Sequence, residues 1–426
     1  MTHSLYTHNI LVKNPNELVK NGKIVVKDGY IDSISRHEVE NTLNDPEDFY
    51  IITPGFINLH CHLAYSDIEL ESQALFPWID ALMDSCLKNP FDAKSNSYSG
   101  ALEALKTGTT FLVDNTNYLA ASLEAFNKSG LRGIIAKELF GSDPDLAAAI
   151  VRGAYEDIRT FAFSPHSLYS VSPEIWGAIY EFTKSETVNF SVRNLIFSHF
   201  AEDLEEEEWF RDKNSSNIKN LESFWRRINV LEDKKRFWRA ANSSWDYFKR
   251  YILEDLLKSN FKAVLTHAIN LSEAEIEEIS RYDQIRLVTC PRSNKYLKHN
   301  LARVDLWEKY GILYGLGTDS KASNYDLDLR KEAIALKENF KNFGSNISYK
   351  RLFEILTMDA AEILGLEQKI GSLDEGKSAE YCVWKIMDKS LNVKALAGSD
   401  SESIFSLIIN ADKVKLVDFN INLALN

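Results

Sequence analysis

Eight short apolar runs lie in order through the middle of the chain: FINLH (56–60), TTFLVD (109–114), GIIAKELF (133–140), TFAFS (160–164), NLIFSHF (194–200), AVLTHA (263–268), IRLVTC (285–290) and ILYGLGTD (312–319). Most are separated by stretches of helical periodicity, such as PEIWGAIYEFTKS (173–185) and SEAEIEEISRY (272–282). A parallel neighbouring strand cannot be reached by a tight turn. It needs a crossover, usually a helix. Alternating strands and helices therefore argue for a parallel sheet. Eight repeats of the unit argue for a sheet closed into a (β/α)8 TIM barrel rather than an open one. In such a barrel the C-terminal ends of all the strands point into one mouth, so residues far apart in sequence converge there.

A barrel takes roughly 250 residues, and the chain has 426, which leaves room for a second, smaller module. Both chain ends read as short strands. Asn21-Gly22 and Asp28-Gly29 break KIVVK and YIDSIS with hairpin chemistry. IGSLDEGKSAEYCVWKI and SIFSLIINADKVKLVDF have the same character near the C-terminus. The expected organisation is one small β module built from 1–54 and 366–426, with a barrel over 55–365 inserted between its halves. Residues 203–262, rich in Glu, Trp, Arg and Phe, stand between the fifth and sixth runs as a helical insert. Inserts after barrel strands usually sit over the mouth. A lid and a set of peripheral helices with structural tryptophans are both open readings of it.

Composition excludes several classes. Hydrophobic residues make up 45% and aromatics 12%, which is the make-up of a folded domain. A formal net charge of −13 repels phosphate backbones and anionic lipid, so no nucleic-acid or membrane partner is expected. The basic cluster Lys234, Lys235, Arg236 and Arg239 reads as a solvated helix face. The cysteines at 61, 86, 290 and 382 form no C-x-x-C pattern. That argues for a reducing cytoplasm rather than a disulfide framework. No signal peptide is apparent, and no run of 18 apolar residues is present to span a membrane.

Of the nine histidines, five lie at or just beyond the end of an expected strand. His60 and His62 follow the first, His166 the fourth, His199 ends the fifth and His267 the sixth. Asp319 ends the eighth. His299 reads as part of a polar loop. In extended chain, residues i and i+2 face the same way, so His60 and His62 can reach one ion. An H-x-H pair alone is a weak sign; its weight comes from His199 and Asp319 at the same barrel end. Neutral imidazoles with one carboxylate suit Zn2+, or Fe2+. Such an ion lowers the pKa of bound water toward ~7. One ion is expected rather than two, because the fourth strand ends in FSPHS, with no lysine to bridge a pair. The H-x-E and P-C-x-x-C signature of the small zinc deaminases is also missing.

Glu202, just past His199, stands where a carboxylate can take a proton from water and give it to a leaving nitrogen. His267 reads as a ligand or as a hydrogen-bond partner of the water. Asp319 can both bind metal and accept a proton. His166 reads as a substrate contact.

Taken together, PGFINLHCHL, SPHSLYSVS, SHFAED, LTHA, TCPRSN and GLGTDS resemble the amidohydrolase superfamily, in the branch of chlorohydrolases and cytosine-, guanine- and adenosine-type deaminases. The likeness runs from about residue 20 to 390. It implies that His60, His62, His199 and Asp319 hold the metal, that Glu202 shuttles protons and that His267 orients the water. It also implies that the strands at both chain ends form a small β-sandwich. Ala379-Glu380 departs from the Ala-Asp usual there. A narrower likeness, in KELFGSD, YSVS, SHFAEDLEEEEWF, TCPRSNKYL and GTDSKASN, is to aminodeoxyfutalosine deaminases of the amidohydrolase type. It implies an adenine nucleoside bearing a benzoate, 6-amino-6-deoxyfutalosine, as substrate within menaquinone biosynthesis. Arg292 would meet the carboxylate, with Arg236 or Arg239 in reserve. Glu138 or the insert would contact the ribose, and Asn294 would also contact substrate.

The leading expectation is a metal-dependent hydrolytic deaminase in which hydroxide on the metal attacks the ring and ammonia leaves. It is expected in the cytoplasm, with a small-molecule substrate and as a possible homodimer. The competing enzyme reading is a chlorohydrolase or amide hydrolase on an s-triazine or cyclic amide. The competing non-enzyme reading is a binding protein on the same fold.

Overall fold

The computed structural model describes residues 2–6, 10–36, 49–88, 91–141, 143, 145, 146, 149, 161–185, 194–228, 239–387, 401–410 and 412–420. Its centre is an eight-stranded parallel sheet whose spatial order follows the sequence. The first strand is Phe56–Cys61, the fifth Leu195–Phe200, the sixth Lys262–His267, the seventh Ile285–Thr289 and the eighth Tyr314–Leu316. First and last meet at a parallel bridge between Cys61 and Asp319. The N–H groups of Thr318 and Asp319 both donate to the His60 carbonyl, at 3.1 and 3.0 Å. The sheet is thus closed, and it is a TIM barrel.

The strands are short apolar runs because both of their faces are covered. Every residue of Phe56–Cys61 and of Leu195–Phe200 is buried. Val113, Phe197 and Val264 share one buried cluster. They stand two residues before the polar Asn115, His199 and Thr266. The inward-facing rows that carry polar groups at the mouth therefore continue below as packed apolar core.

The chain ends form the β-sandwich that the family resemblance implies, where the terminal hairpin signals alone suggest one small sheet. Thr2–Tyr6, Gly22–Lys27 and Tyr30–Arg36 make a three-stranded sheet. The five-stranded partner sheet runs Val414–Asn420, Tyr381–Ile386, Tyr50–Pro54, Ile10–Asn14, Glu17–Lys20. Asp28 and Gly29 both adopt positive φ, 52° and 85°, which is the backbone a tight hairpin needs. Leu11, Ile24, Val26, Ile31 and Ile52 form the core between the sheets. Glu380 earns its extra methylene here: it forms a buried ion pair with Arg132 of the third barrel strand, Arg132–Leu139. Module and barrel are fastened at that point.

Within the insert, Leu204–Arg211, Lys219–Arg227, Ser244–Tyr251 and Leu253–Lys258 are helices. Trp209, Trp225 and Trp245 are all fully buried, and Trp225 Nε1 donates to the Tyr169 carbonyl at 2.8 Å. These three tryptophans are thus structural, while Phe224 and Ile228 face the cavity described below. Lys234, Lys235 and Arg236 lie outside the described residues. Arg239 pairs with Glu174 at 2.8 Å. No described helix is long and apolar enough to cross a membrane.

Candidate metal centre

The mouth of the barrel gathers His60, His62, His199, His267, Glu138 and Asp319 within ligand-forming distance of one another, in three overlapping triads. His62 Nε2 lies 3.3 Å from His199 Nε2 and 3.5 Å from Asp319 Oδ1. His60 Nε2 lies 3.7 Å from the same carboxylate oxygen. What these atoms carry follows from the far side of each ring. His62 Nδ1 donates to the Asn115 carbonyl at 2.7 Å, and His199 Nδ1 donates to the His166 carbonyl at 2.9 Å. Both Nε2 atoms are therefore bare lone pairs when the rings are neutral. Two lone pairs and a carboxylate oxygen so close together repel unless a cation sits among them. His60 Nε2 is buried and has no hydrogen-bond partner at all. The donor set is that of a divalent-metal site: His62 and His199 are each oriented by a hydrogen bond from the other ring nitrogen, and His60 Nδ1 is held 2.9 Å from the Asn115 side-chain amide nitrogen.

Protonation fits the same state. Burial pushes the pKa of His60 well below the usual imidazole value and also lowers that of His199, so both stay neutral. Burial works against the Asp319 carboxylate, but the adjacent His60 and His62 imidazoles hold its pKa well below the ordinary value. Asp319 Oδ2 is engaged by two hydroxyls, Ser293 Oγ at 2.6 Å and Ser323 Oγ at 2.8 Å. Its Oδ1 is left to face the imidazoles.

Glu202 lines the cavity beside this group and is 3% exposed. Its Oε1 lies 3.5 Å from His267 Nε2 and 3.4 Å from His299 Nε2. Burial would raise its pKa, yet the two histidines hold it at about 2, so it rests as a carboxylate. The backbone around it is strained. Ala201, His267, Ala268 and Asp319 all have positive φ, between 46° and 76°. Such φ values cost energy in residues other than Gly and gather at functional sites. Here they are braced: the N–H groups of Ile269 and Asn270 both donate to the Ala201 carbonyl at 3.0 Å.

His166 and Glu138 also reach the cavity. His166 stacks on Phe140 with ring centres 4.5 Å apart, and its Nδ1 meets Ser170 Oγ at 2.8 Å. Glu138 accepts from Asn117 Nδ2 at 2.9 Å, and burial raises its pKa.

Asn294 and Arg292 stand elsewhere. Asn294 is behind His267, its Oδ1 accepting from His267 Nδ1 at 2.9 Å. Neither residue is in the cavity wall. Arg292 opens the helix Pro291–Tyr296; its backbone N–H donates to Glu332 at 2.9 Å and its guanidinium grips Asp326 at 2.8 and 3.3 Å. Two carboxylates already occupy its charge, so the structure does not bring Arg292 to a substrate carboxylate.

Reading the sequence missed Asn115, Ser293, Ser323 and His299. A signal existed for Asn115, since the polar Asp114-Asn115 pair follows the apolar Phe111-Leu112-Val113 toward the C-terminal end of the second barrel strand, Thr109–Thr116. None marked the serines.

The cavity above the metal group has a volume of about 550 Å³. His62, His199, Glu202 and Asp319 form its floor, and Glu138, Asn117 and His166 its middle. Its outer half is apolar: Leu75, Trp78, Ile79, Leu82 and Met83 from the helix Leu75–Lys88 face Phe224 and Ile228 of the insert.

The sequence profile of the Amidohydrolase family matches residues 51–417, and the chain belongs to that family. It is 26% identical over 398 residues to a 5-methylthioadenosine/S-adenosylhomocysteine deaminase of Bacillus cereus, covering 87% of this chain and 82% of that protein. Its fold is similar to guanine deaminase from C. acetobutylicum with bound guanine (TM-score 0.73, 20% identity, 99% of each chain). It is also similar to an adenosine deaminase from Xanthomonas campestris with bound zinc (TM-score 0.69, 16% identity, 98% of this chain and 91% of that one). The protein is a metal-dependent hydrolytic deaminase of the amidohydrolase family, acting on C–N bonds.

Proposed function

We propose that the substrate is an adenine nucleoside carrying a sizeable, largely apolar substituent, deaminated at purine C6. The observation that carries this reading is the two-part cavity, with a polar reacting floor and an apolar outer half. An adenine ring on the floor would place its ribose beside Glu138 and His166 and its substituent against the helix Leu75–Lys88. The Bacillus cereus relative is named for two substituted adenine nucleosides, 5-methylthioadenosine and S-adenosylhomocysteine.

His60, His62, His199 and Asp319 would hold one divalent ion. Three imidazoles and a carboxylate suit Zn2+, with Fe2+ the alternative. Once bound, the ion supplies water that ionises near neutral pH. The remaining chemistry belongs to the chain. Glu202 takes a proton from the attacking water and delivers it to the ring nitrogen next to C6. A second transfer through Glu202 protonates the departing amine, and ammonia leaves as C6 becomes a carbonyl. His267, its Nδ1 fixed by Asn294, turns Nε2 toward the same space. The four cysteines are all unpaired, which accords with a cytoplasmic setting.

The likeness in sequence motifs makes 6-amino-6-deoxyfutalosine the specific candidate. Its aryl group matches the apolar half of the cavity. Its carboxylate finds no Arg or Lys among the described residues of the wall. The test is ammonia release from aminodeoxyfutalosine, 5-methylthioadenosine, S-adenosylhomocysteine, adenosine and guanine, with chloride release from a chlorotriazine alongside. The reading expects aminodeoxyfutalosine to have the highest kcat/KM. Preference for 5-methylthioadenosine would keep the substrate class and reject that compound. Turnover of guanine or triazine alone would reject the class.

A further inference from the structure

The short helix Pro291–Tyr296 serves the site through successive residues. Ser293 donates to Asp319, and Asn294 accepts from His267. The chain then turns back. Leu297 caps the helix and Lys298 takes a left-handed φ of 63°. The N–H of Lys298 donates to the Lys295 carbonyl at 3.2 Å, and the N–H of His299 to the Asn294 carbonyl at 2.9 Å. This pair of bonds is a Schellman motif, in which the last residue usually packs an apolar side chain back on the helix. Here that residue is a histidine, and a lysine rather than a glycine bears the left-handed conformation.

The turn delivers the imidazole to Glu202. The His299 side chain is 5% exposed, and its Nε2 lies 3.4 Å from Glu202 Oε1. Its Nδ1 faces Asp203 Oδ2 at 3.7 Å. The ring is bracketed by two consecutive carboxylates, and Nε2, which faces Glu202 just outside hydrogen-bonding geometry, is buried with no hydrogen-bond partner among the described residues. His267 cannot serve Glu202 in the same way. Its proton sits on Nδ1, toward Asn294, so in the neutral ring the atom facing Glu202 is a lone pair. Among the described residues, His299 has no such hydrogen bond fixing a proton on its far nitrogen, so its Nε2 is free to carry the N–H toward Glu202.

We propose that His299 is a positioning residue: its ring N–H anchors the Glu202 carboxylate at the cavity floor for proton transfer, and Asp203 holds His299 from behind. This rests on the reading of Glu202 as the proton shuttle. Burial alone would push the His299 pKa down. Glu202 and Asp203, with Asp319 further off, outweigh it and hold the ring above the ordinary histidine value.

Two measurements test the proposal. In the first, His299→Leu removes the donor and His299→Gln retains one. Metal content and KM should hold in both. With Leu, kcat should fall at least about tenfold, while Gln stays within about threefold of wild type. Wild-type kcat in H299L, or equal losses in the two variants at full metal content, overturns the proposal. The second measurement needs neither an apolar variant nor a substrate. It is a 15N imidazole spectrum of zinc-loaded wild type, with His299 assigned by its absence from H299Q. The ring should titrate above the ordinary histidine value in the wild type and at a lower pH in E202Q. A His299 that titrates at the same pH in E202Q as in the wild type overturns the proposal. Because this spectrum requires no turnover, it separates failure here from failure of the deaminase reading.

Discussion

Ser293→Ala tests whether the site is built to present Asp319 to a metal. The hydroxyl is fully buried and donates to Asp319 Oδ2 at 2.6 Å; Ser323 donates to the same oxygen at 2.8 Å. Alanine removes one oxygen and creates almost no clash. A hydrogen bond to a charged group is worth about 1.5–3 kcal/mol. At about 1.4 kcal/mol per tenfold, losing it should weaken metal binding by about 10–100-fold, the range seen when an outer partner of a ligand is lost. Ser323→Ala should do the same. Each serine partly covers for the other, so the double variant should lose more than the two single losses combined. The assay is competition against a chelator of known affinity, with thermal unfolding of the metal-free proteins as control. Unchanged affinity in the double variant, with Asp319 intact, would refute the claim that these hydroxyls fix the ligand.

Other outcomes follow from the same geometry. His62→Ala should lose metal and activity together, and elemental analysis of the wild type should give about one divalent ion per chain; two tightly held ions would sink the single-metal reading. Glu207 accepts from Ser244, and burial, opposed by those bonds, raises its pKa to about 7. Its folded pKa lies above the unfolded one, so it favours the native state at low pH and that contribution fades from about pH 4.5 to 7. Glu207→Gln should therefore gain on wild type in denaturant-measured stability between pH 5 and 8, by up to ~3 kcal/mol; parallel pH curves would contradict this. Ile79→Gln puts an amide in the apolar half of the cavity and should raise KM for a nucleoside with an apolar substituent about tenfold, leaving adenosine nearly unchanged. Equal effects on both would show that Ile79 does not meet the substituent.

The ligand set was legible because the barrel turns sequence order into convergence. Once the eight runs are strands, His60, His62, His199 and Asp319 can only share one mouth. Side-chain direction was less legible. Arg292 follows a strand end, like the residues gathered at the mouth, but it lies in the first turn of a helix, and its partners Asp326 and Glu332 lie 34 and 40 residues on. No local pattern announces them. His299 was hidden for the converse reason. KHN reads as a polar loop, because the left-handed turn that folds it inward falls on Lys298, where a glycine would have signalled a helix cap. The apolar arm of the cavity looked like an ordinary helix face, since a periodic apolar stripe does not say whether it will meet core or ligand.

The central claim is that metal binding and proton transfer are separate tasks of separate residues. Glu202→Gln tests it most directly, because the amide keeps the shape and cannot carry the proton. Metal content and turnover of the same preparation should be measured together on whichever adenine nucleoside the wild type prefers. The account predicts the wild-type amount of metal with kcat lowered by about 10²–10⁴-fold. Full metal with near-normal kcat would contradict it and leave Asp319 as the sole base.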